Sequence, residues 1–432
     1  MKMLRPLPFL LASFIILPII SSKTAIQSSS TTSTSSPWIN IFPDSNSSTV
    51  LAHREGAMVV SGPISDSLLV FGGCSSSCCY APLNDLFLWS SSTTTNNNYQ
   101  WYNLTIYYNT NTNIPTGRLY HTATIGALPT IIYMYGGADE LIGARSDLWS
   151  LELIVDNNNK GNITNIRWTE ISTNSLPGPR AAHSQVRANS NDGSFYIYGG
   201  ENETNILNDI WYYNATNNSW LCIYNGIDNY IDSPQGRSQT GLTLISNNNT
   251  NTEYLVINGG TDNNGNDHMD IWVYNLQTNN WLCIGNIEGG GPDGNGPLER
   301  HGHATWTNYN SEVSSSSSSL SIYIFGGQHG SLESDPFVGD VWLFTAIYNT
   351  SINNYNNGTF TLIQKSNYQP NTIQPVARGM GGIAIYPPNL YHNHSSSIQD
   401  NNITRILYFG GFSGYNGGLN DLLHNDIWLF ES

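Results

Sequence analysis

The residues that could do chemistry in this chain of 432 residues lie in short polar stretches between apolar runs. One stretch, TDNNGNDH, holds Asp262, Asp267 and His268, and carboxylates beside an imidazole are groups that can ligate a metal ion. Later stretches hold four more histidines, none at a recognisable ligand spacing: His301, His303, His329 and His424. No Gly-x-Ser-x-Gly elbow, phosphate loop or zinc pattern occurs. The sequence therefore predicts neither a catalytic residue nor a cofactor.

A sequence motif that recurs six times predicts the strands that must position these polar stretches. An apolar run ends in Gly-Gly, and after a loop an acidic residue precedes a strand that carries an aromatic residue. The glycine pairs begin at Gly72, Gly136, Gly199, Gly259, Gly326 and Gly410, and the acids are Asp85, Asp147, Asp209, Asp270, Asp340 and Asp426. Short β-branched and aromatic runs separated by Gly, Asn and Ser predict antiparallel strands. The double glycine predicts a close backbone approach or a positive φ.

These residues resemble the Kelch repeat, the four-stranded blade of a β-propeller. The resemblance covers about residues 37 to 432 and implies an all-β, six-bladed propeller. It makes the recurrent aromatics core residues: Phe87, Trp149, Trp211, Trp272, Trp342 and Trp428. An arginine precedes each inner strand and is expected to tie loop carbonyls together: Arg54, Arg118, Arg180, Arg237, Arg300 and Arg378. His121, His183 and His303 follow three of them and are interpreted as satisfied structural histidines.

The sixth repeat lacks a fourth strand, because the chain stops just after DIWLF. A similar strand, Trp38-Ile39-Asn40-Ile41, precedes the first repeat. We expect this N-terminal strand to pair into the C-terminal blade and close the ring, which removes exposed sheet edges.

The N-terminus predicts export. Lys2 and Arg5 precede an apolar run that closes at Ile20, the layout of a secretory signal peptide over residues 1–22. A signal anchor is the alternative, although the run is short for a span and contains prolines. Residues 23–36 read as a Ser/Thr-rich leader. We expect a secreted, extracellular product without stable membrane insertion.

Asparagine sequons agree with export, although an Asn-rich chain also generates them by chance. They are Asn46, Asn103, Asn162, Asn202, Asn214, Asn217, Asn248, Asn349, Asn357, Asn393 and Asn402.

The five cysteines are an odd number, so at least one is unpaired within the chain. Cys74 is expected to pair with Cys78 or with Cys79. Cys222 and Cys283 occupy equivalent outer strands, too far apart for a bridge, and are interpreted as buried thiols.

The net charge of −16 argues against a surface that binds along a nucleic-acid phosphate backbone, so nucleic acid is not an expected partner.

A four-stranded meander sends the loops between strands 1 and 2 and between strands 3 and 4 to one side, here called face A. The loops between strands 2 and 3 and between successive blades emerge on the other side, face B. Most sequons fall on face A, whereas Asn46 and Asn202 fall on face B.

Face B is the predicted binding surface, because its loops ring the mouth of the central channel, where propellers usually place ligands by analogy of fold. The candidate residues are Arg145, Asp262, Asp267, His268, His329, Asp335 and His424. The alternative is that such acidic loops only solvate the surface.

Two functional hypotheses remain. The first is a secreted, glycosylated, non-catalytic binding module for a protein or glycan ligand at the channel mouth. The second is a metal-dependent oxidase at the same mouth, resembling galactose-oxidase-type Kelch enzymes. Asp262, Asp267 and His268 also resemble the acid-acid-His loop of iron-dependent Kelch lyases of plants, but with a different spacing. Bound copper or iron would discriminate between the two hypotheses.

Overall fold

The fold is described from a computed structural model. The described residues are 37–42, 51–63, 67–75, 81–91, 99–107, 113–139, 142–156, 163–226, 232–247, 250–285, 296–307, 319–330, 337–349, 354–365, 375, 377–386, 405–413 and 422–431. The predicted signal peptide and leader lie outside them.

Six antiparallel sheets form the blades, with the inner strand first in each. Blade 1 comprises Met58–Ser61, Leu68–Phe71, Leu86–Ser91 and Tyr99–Asn103. Blade 2 comprises Thr122–Ile125, Ile131–Tyr135, Leu148–Val155 and Ile163–Glu170. Blade 3 comprises Ser184–Arg187, Phe195–Tyr198, Ile210–Asn214 and Ser219–Tyr224. Blade 4 comprises Gly241–Asn247, Thr252–Asn258, Ile271–Asn275 and Asn280–Gly285.

The last two blades depart from this pattern. Blade 5 comprises Ala304–Thr307, Ser319–Phe325, Val341–Asn349, Thr359–Gln364 and a short extra strand, Asn354–Tyr355. Blade 6 comprises Gly382–Tyr386, Arg405–Phe409, Ile427–Glu431 and, at its outer edge, the N-terminal Trp38–Phe42. Trp38 lies opposite Phe430 in that antiparallel pairing.

Two short two-stranded sheets lie in the loops of face B. Ala138–Asp139 pairs with Gly143–Ala144, and Phe412–Ser413 pairs with Leu422–Leu423. The described residues contain one helix, the 3-10 turn Leu104–Tyr107, and no described helix is long and apolar enough to cross a membrane.

The core lies between neighbouring blades, where aromatic side chains fill the wedge between sheets. Between blades 1 and 2, for example, Phe71 packs on Trp168 with ring centroids 5.1 Å apart. Of the predicted core aromatics, Trp149, Trp342 and Trp428 are buried, whereas Trp211, Trp272 and Phe87 are only partly buried.

The double glycines have the backbone shape predicted for them: all twelve have positive φ. At Gly200, a Cβ atom would lie 2.7 Å from the carbonyl oxygen of Ala181, so the backbone of the inner loop occupies the space that a side chain would need. The second strand of each blade can therefore end directly beneath the loop that enters the inner strand.

Candidate functional site at the closed channel mouth

Each inner strand contacts the inner strands of both neighbouring blades, so the six strands surround a central channel. Two residues before each inner strand, the backbone turns left-handed, with φ between 53° and 62°. These six residues, called the αL ring, are Gly56, Tyr120, Ala182, Gln239, Gly302 and Met380. Each N–H donates to the carbonyl oxygen of the ring residue in the preceding blade, at 2.8 to 3.4 Å, and Gly56 closes the circle on Met380. The αL ring therefore joins all six blades at the face-B end of the channel.

Three side chains of the αL ring fill its centre. The hydroxyl of Tyr120 donates to Sδ of Met380, and the Tyr120 ring lies 3.1 Å from where a Cβ on Gly56 would be. Gln239 and Met380 similarly occupy the space beside Gly302, where a Cβ would lie 3.0 Å from Oε1 of Gln239. The two glycines thus make room for the three large side chains. These side chains form a floor beneath the mouth.

Two carboxylates and an imidazole stand close to this floor. Glu55 and His301 each immediately precede a residue of the αL ring. In blade 3 that position is Ala181, which forms an antiparallel β-bridge with Glu201. All three are partly exposed. Burial, and then the negative charges of Glu55 and Glu201, raise the pKa of Tyr120 well above its usual range. Burial also raises the pKa of Glu201, and the nearby His301 opposes that rise.

A buried ion pair in every blade holds the loop that enters the mouth. In blade 2, Arg118 pairs with Asp147 at 2.7 Å and also donates to the carbonyl oxygen of Gly136. Oδ2 of Asp147 also accepts from the indole N–H of Trp149, and the two guanidinium bonds make the pair bidentate. The equivalent pairs are Arg54–Asp85, Arg180–Asp209, Arg237–Asp270, Arg300–Asp340 and Arg378–Asp426. The sequence predicted the carbonyl contacts of these arginines but missed their carboxylate partners.

The chain matches the family model of the KLHDC2/KLHL20/DRC7 Kelch-repeats domain over residues 56–313. It belongs to this Kelch-repeat family. Kelch repeat-containing protein 2 of Saccharomyces cerevisiae is 26% identical over 164 residues, which cover 37% of this chain and 17% of the yeast protein. Kelch domain-containing protein 2 of Bos taurus is 31% identical over 117 residues, which cover 27% of this chain and 26% of the bovine protein. Each match therefore spans only a minor part of the relative.

A solved structure has the same fold. The structure of YjhT matches with a TM-score of 0.53 and 12% identity, covering 89% of this chain and 99% of that one. The Kelch propeller predicted from the repeats is confirmed.

Four of the seven predicted binding residues of this Kelch domain are held by contacts within their own loops. Arg145 forms an ion pair with Asp139. Asp262 accepts from the backbone N–H groups of Asn264 and Asn266, and its Oδ2 lies 3.4 Å from Nε2 of His268. In the sixth blade, Nε2 of His424 lies 2.7 Å from the hydroxyl of Ser413.

Two predicted residues make contacts between loops of face B. Asp267 of blade 4 meets Nδ1 of His301 at 2.7 Å and accepts from the N–H of Gly330, in the loop of blade 5. Nδ1 of His329 lies 2.7 Å from the carbonyl oxygen of Glu299. Asp335 lies outside the described residues. The structure thus brings Asp267 and His329 close to His301, whereas Arg145 belongs to a loop of blade 2. Asp262 lies in the same blade-4 loop as Asp267, where its carboxylate accepts backbone hydrogen bonds from that loop.

Sequence reasoning missed the three floor residues Tyr120, Gln239 and Met380. It also missed Glu55 and Glu201, which belong to the surrounding loops, called the wall. A signal for the floor was present: every ring residue stands two positions after a recurrent arginine. Aligning the repeats on that arginine identifies one residue from each blade that surrounds the channel.

The recurrent histidines are buried and neutral. Burial, followed by the positive charge of the adjacent arginine, lowers the pKa of His121 and of His303 to about 3, and that of His183 well below its usual range. Nε2 of His183 lies 2.6 Å from the hydroxyl of Thr122, and Nε2 of His303 lies 2.6 Å from Oδ1 of Asn258. For His121, neither ring nitrogen meets a side-chain partner among the described residues. A backbone hydrogen bond with Phe71 opposes the fall of the His121 pKa, so the interpretation of the three residues as structural histidines stays a prediction.

Cys74 of the Kelch domain is disulfide-bonded, and both of its predicted partners lie outside the described residues. Cys222 and Cys283 are free thiols. Cys222 is exposed and Cys283 only partly buried, because the outer strands that carry them are sheet edges. The prediction that these two thiols are buried was wrong.

Six predicted glycosylation residues fall among the described residues: Asn103, Asn202, Asn214, Asn217, Asn349 and Asn357. The sequons at Asn46, Asn162, Asn248, Asn393 and Asn402 lie outside them. Within the described residues, no three His, Cys, Asp or Glu side chains form a group that could hold a metal ion.

Proposed function

We propose that this Kelch propeller is a non-catalytic extracellular binding module, secreted and N-glycosylated, that docks a protein or glycan ligand on face B at the channel mouth. The observation that carries the proposal is the closed mouth itself. Three side chains meet at the end of the channel, and the loops around them are carried by six packed inner strands. Loops positioned by a rigid scaffold are where binding residues usually lie.

The wall is preorganised, which supports binding. Asp262 accepts two backbone hydrogen bonds from its own loop, and Asp267 bridges the loops of blades 4 and 5. A surface that is ordered before a ligand arrives loses less conformational entropy on binding. Acidic side chains predominate there, so we propose a basic partner surface, whose approach the net charge of −16 would also favour.

Two sequons suit a glycan on face A. In the turn between the third and fourth strands of blade 3, Oδ1 of Asn214 accepts the N–H groups of Thr216 and Asn217. Oδ1 of Asn217 accepts from the hydroxyl of Ser219. The oxygen atoms thus shape this turn, and Nδ2 is the atom to which a glycan attaches. Glycans here would leave face B accessible.

The first experiment expresses the full chain in a eukaryotic host. We expect the protein in the medium, with a mobility that increases after N-glycosidase treatment. Retention inside the cell, or an unchanged mobility, would contradict export or glycosylation respectively.

The second experiment tests the binding face. Immobilised wild-type protein is compared with Asp267→Lys and Asp335→Lys in the capture of extracellular partners, with Glu170→Lys at the outer edge of blade 2 as the control. We expect both face-B variants to lose captured partner at least tenfold while Glu170→Lys retains it. Equal capture by all three would move the site elsewhere, and matching melting temperatures establish that the variants are folded.

The competing proposal, a metal-dependent oxidase, is tested by elemental analysis of the secreted protein. About one equivalent of copper or iron per chain would favour the oxidase and direct assays to the region of His329 and His424. No stoichiometric metal would favour the binding module.

A further inference from the structure

A cavity of about 230 Å³ lies along the outer strand of blade 2, at the rim of the propeller. One of its walls is the stretch 165–168 of that strand, with Ile154 beside it. The other wall is the connector from blade 1, which contributes Tyr107, Asn113 and Ile114. This site does not depend on the proposed function, whose residues surround the channel mouth next to the innermost strands.

Two hydrogen bonds hold the connector at the ends of the outer strand. The hydroxyl of Tyr107 donates to the carbonyl oxygen of Ile163, at 3.0 Å. Nδ2 of Asn113 donates to Oε2 of Glu170, at 3.5 Å. Ile163 and Glu170 are the first and last residues of the strand. The cavity therefore occupies the stretch between the two contacts.

The middle of this strand has a free edge, because the strand is the outermost of the blade and pairs only with Leu148–Val155. Residues of an antiparallel pair alternate between those that bond to the neighbouring strand and those whose backbone groups point away from it. The N–H of Ile171 donates to the carbonyl oxygen of Leu148, at 2.8 Å. Counting back from Ile171, every second residue bonds to that neighbour, so the N–H and C=O groups of Trp168 and Ile166 point outward instead.

The outward backbone groups of Trp168 are available for pairing. Neither its N–H nor its carbonyl oxygen has a hydrogen-bond partner in the part of the chain that the structure describes. The N–H of Ile166 differs, because Oδ1 of Asn165 accepts it at 2.8 Å. Extended peptides commonly bind proteins by adding a strand to an edge with unpaired groups. Such pairing can begin at Trp168, and it must displace the side chain of Asn165 to continue.

This edge is also long. The outer strand of blade 2 has eight residues, whereas the outer strands described for the other five blades have five or six. Proteins commonly shorten their edge strands, or place charges or proline on them, to prevent unwanted pairing. A long edge that the connector contacts only at its ends suits pairing with a partner strand.

The lining of the cavity fits an uncharged, apolar side chain. Aromatic and aliphatic residues make up most of it: Tyr107, Ile114, Ile154, Ile166 and Trp168. The charged residue of the lining, Arg167, already pairs with Glu152 at 2.7 Å. A cavity of about 150 Å³ with apolar walls admits a benzene ring, so a volume of about 230 Å³ has room for one aromatic side chain.

We infer that the outer strand of blade 2 receives an extended segment of a partner protein as a fifth strand, with one apolar side chain in the cavity. The segment runs antiparallel, as every strand pair within this blade does. Its central residue lies opposite Trp168, donates its N–H to the carbonyl oxygen of Trp168 and accepts the N–H of Trp168. Side chains of directly opposed residues lie on the same face of a sheet. The central side chain therefore enters the cavity beside the indole ring.

Three capped pentapeptides are the probes: acetyl-Thr-Ser-Phe-Ser-Thr-amide and its analogues with alanine or N-methylphenylalanine at the centre. Alanine removes the ring, whereas N-methylphenylalanine keeps the ring but cannot donate the backbone hydrogen bond. Calorimetry with the full chain measures the affinities. We expect the phenylalanine peptide to bind saturably and at least fivefold more tightly than either analogue.

Three results of this experiment would overturn the inference. Equal binding of the N-methylated peptide would mean that the cavity takes a ring without strand pairing. Equal binding of the alanine peptide would mean that the cavity is not used. Absence of binding by the phenylalanine peptide would mean that this edge does not accept a strand.

Two substitutions of the same kind in the connector locate the site. Ile114→Trp fills the cavity, because Ile114 lines it. Ile106→Trp is the matched control, since Ile106 is 72% exposed and lies outside the lining. We expect Ile114→Trp to weaken binding of the phenylalanine peptide at least fivefold and Ile106→Trp to leave it unchanged. Equal affinities of the two variants would place the peptide elsewhere.

Hydrogen exchange of the wild-type protein tests the pairing without any substitution, so it applies even if Ile114→Trp does not fold. The bound phenylalanine peptide should slow exchange in the proteolytic fragment that contains Trp168. Exchange in the outer strand of blade 3, Ser219–Tyr224, should stay unchanged. Equal protection of both strands, or of neither, would contradict pairing at blade 2.

Discussion

The hydroxyl group of Tyr120 donates a hydrogen bond to Sδ of Met380, with 3.4 Å between oxygen and sulfur. Tyr120 belongs to blade 2 and Met380 to blade 6, so the contact passes over Gly56 of blade 1 at the seam where the ring closes. At the same seam the side-chain amide of Asn425 donates to the carbonyl oxygen of Leu51 at 2.9 Å. The floor of the channel mouth and the closure of the propeller therefore meet at the same seam, through different residues.

Replacing only one partner of a blade's ion pair should lower the free energy of unfolding strongly, because the other charge is left unpaired. Arg180 is 1% exposed and pairs with Asp209. We expect Arg180→Met to lower the free energy of unfolding by about 3 to 5 kcal/mol, because it leaves the carboxylate of Asp209 without its cation. The measurement is urea unfolding followed by tryptophan fluorescence.

The control for that prediction is the exposed pair between Arg167 and Glu152, whose side chains are 64% and 44% exposed. Arg167→Met should cost no more than about 1 kcal/mol, since solvent screens such pairs. An equal loss of unfolding free energy in Arg180→Met and Arg167→Met would show that the ion pairs of the blades contribute no more to stability than an exposed pair.

Two glycines of blade 3 separate backbone strain from steric overlap, because both have φ of 88°. A Cβ on Gly178 would meet nothing within 4 Å, whereas a Cβ on Gly200 would lie 2.6 Å from Cβ of His183. Gly178→Ala should therefore cost about 1 kcal/mol, from the left-handed conformation alone. Gly200→Ala should cost about 3 kcal/mol, since overpacking adds to the strain. Chemical denaturation measures both, and a Gly178 variant as unstable as the Gly200 variant would refute the steric account.

The blades were predictable from sequence because their signals are local. A Gly-Gly pair, an acid and an aromatic recur within each repeat, and each has a steric or packing cause that does not depend on distant residues. The pairing of Arg180 with Asp209 was harder to predict, since the two lie 29 residues apart and meet only when the blade has folded.

The floor of the site was not predicted, because its members share a position and not a chemical type. Tyr120 and Ala182 have the same left-handed backbone as Gly56, imposed by closure of the αL ring and not by their own preferences. The predicted residues were chosen by chemical type instead. Asp262 illustrates the limit of that choice, because hydrogen bonds from its own loop occupy its carboxylate.

The neutral buried histidines should make stability depend on pH. In the folded state the pKa values of His121 and His303 are about 3, whereas an unfolded histidine titrates near 6.5. As the pH falls below about 6.5, the unfolded chain therefore binds protons that the folded chain does not. The free energy of unfolding should decrease by about 1.4 kcal/mol per pH unit for each such histidine.

Urea unfolding at pH 6.5 and at pH 5 tests this dependence, and His121→Leu is the informative variant. It removes one of the three buried imidazoles, so about one third of the pH dependence over this interval should disappear. Carboxylates with lowered pKa values, such as Asp147, add a loss of the same sign only at more acidic pH. An unchanged slope in the variant would mean that His121 is protonated in the folded state.

Trp38 should be the residue through which the N-terminal strand stabilises the ring. Its side chain is 3% exposed and packs on Phe325 and Phe430, with ring centroids 4.7 and 5.0 Å away. Trp38→Ala should lower the free energy of unfolding by about 3 to 5 kcal/mol, because a large cavity opens between blades 5 and 6. Ile39, 47% exposed on the other side of the same strand, is the matched control, and Ile39→Ala should cost about 0.5 kcal/mol or less. Thermal melts of both variants, with deletion of residues 37–42 as the limiting case, measure the effect. A deletion variant that melts like the wild type would show that the ring is stable without this strand.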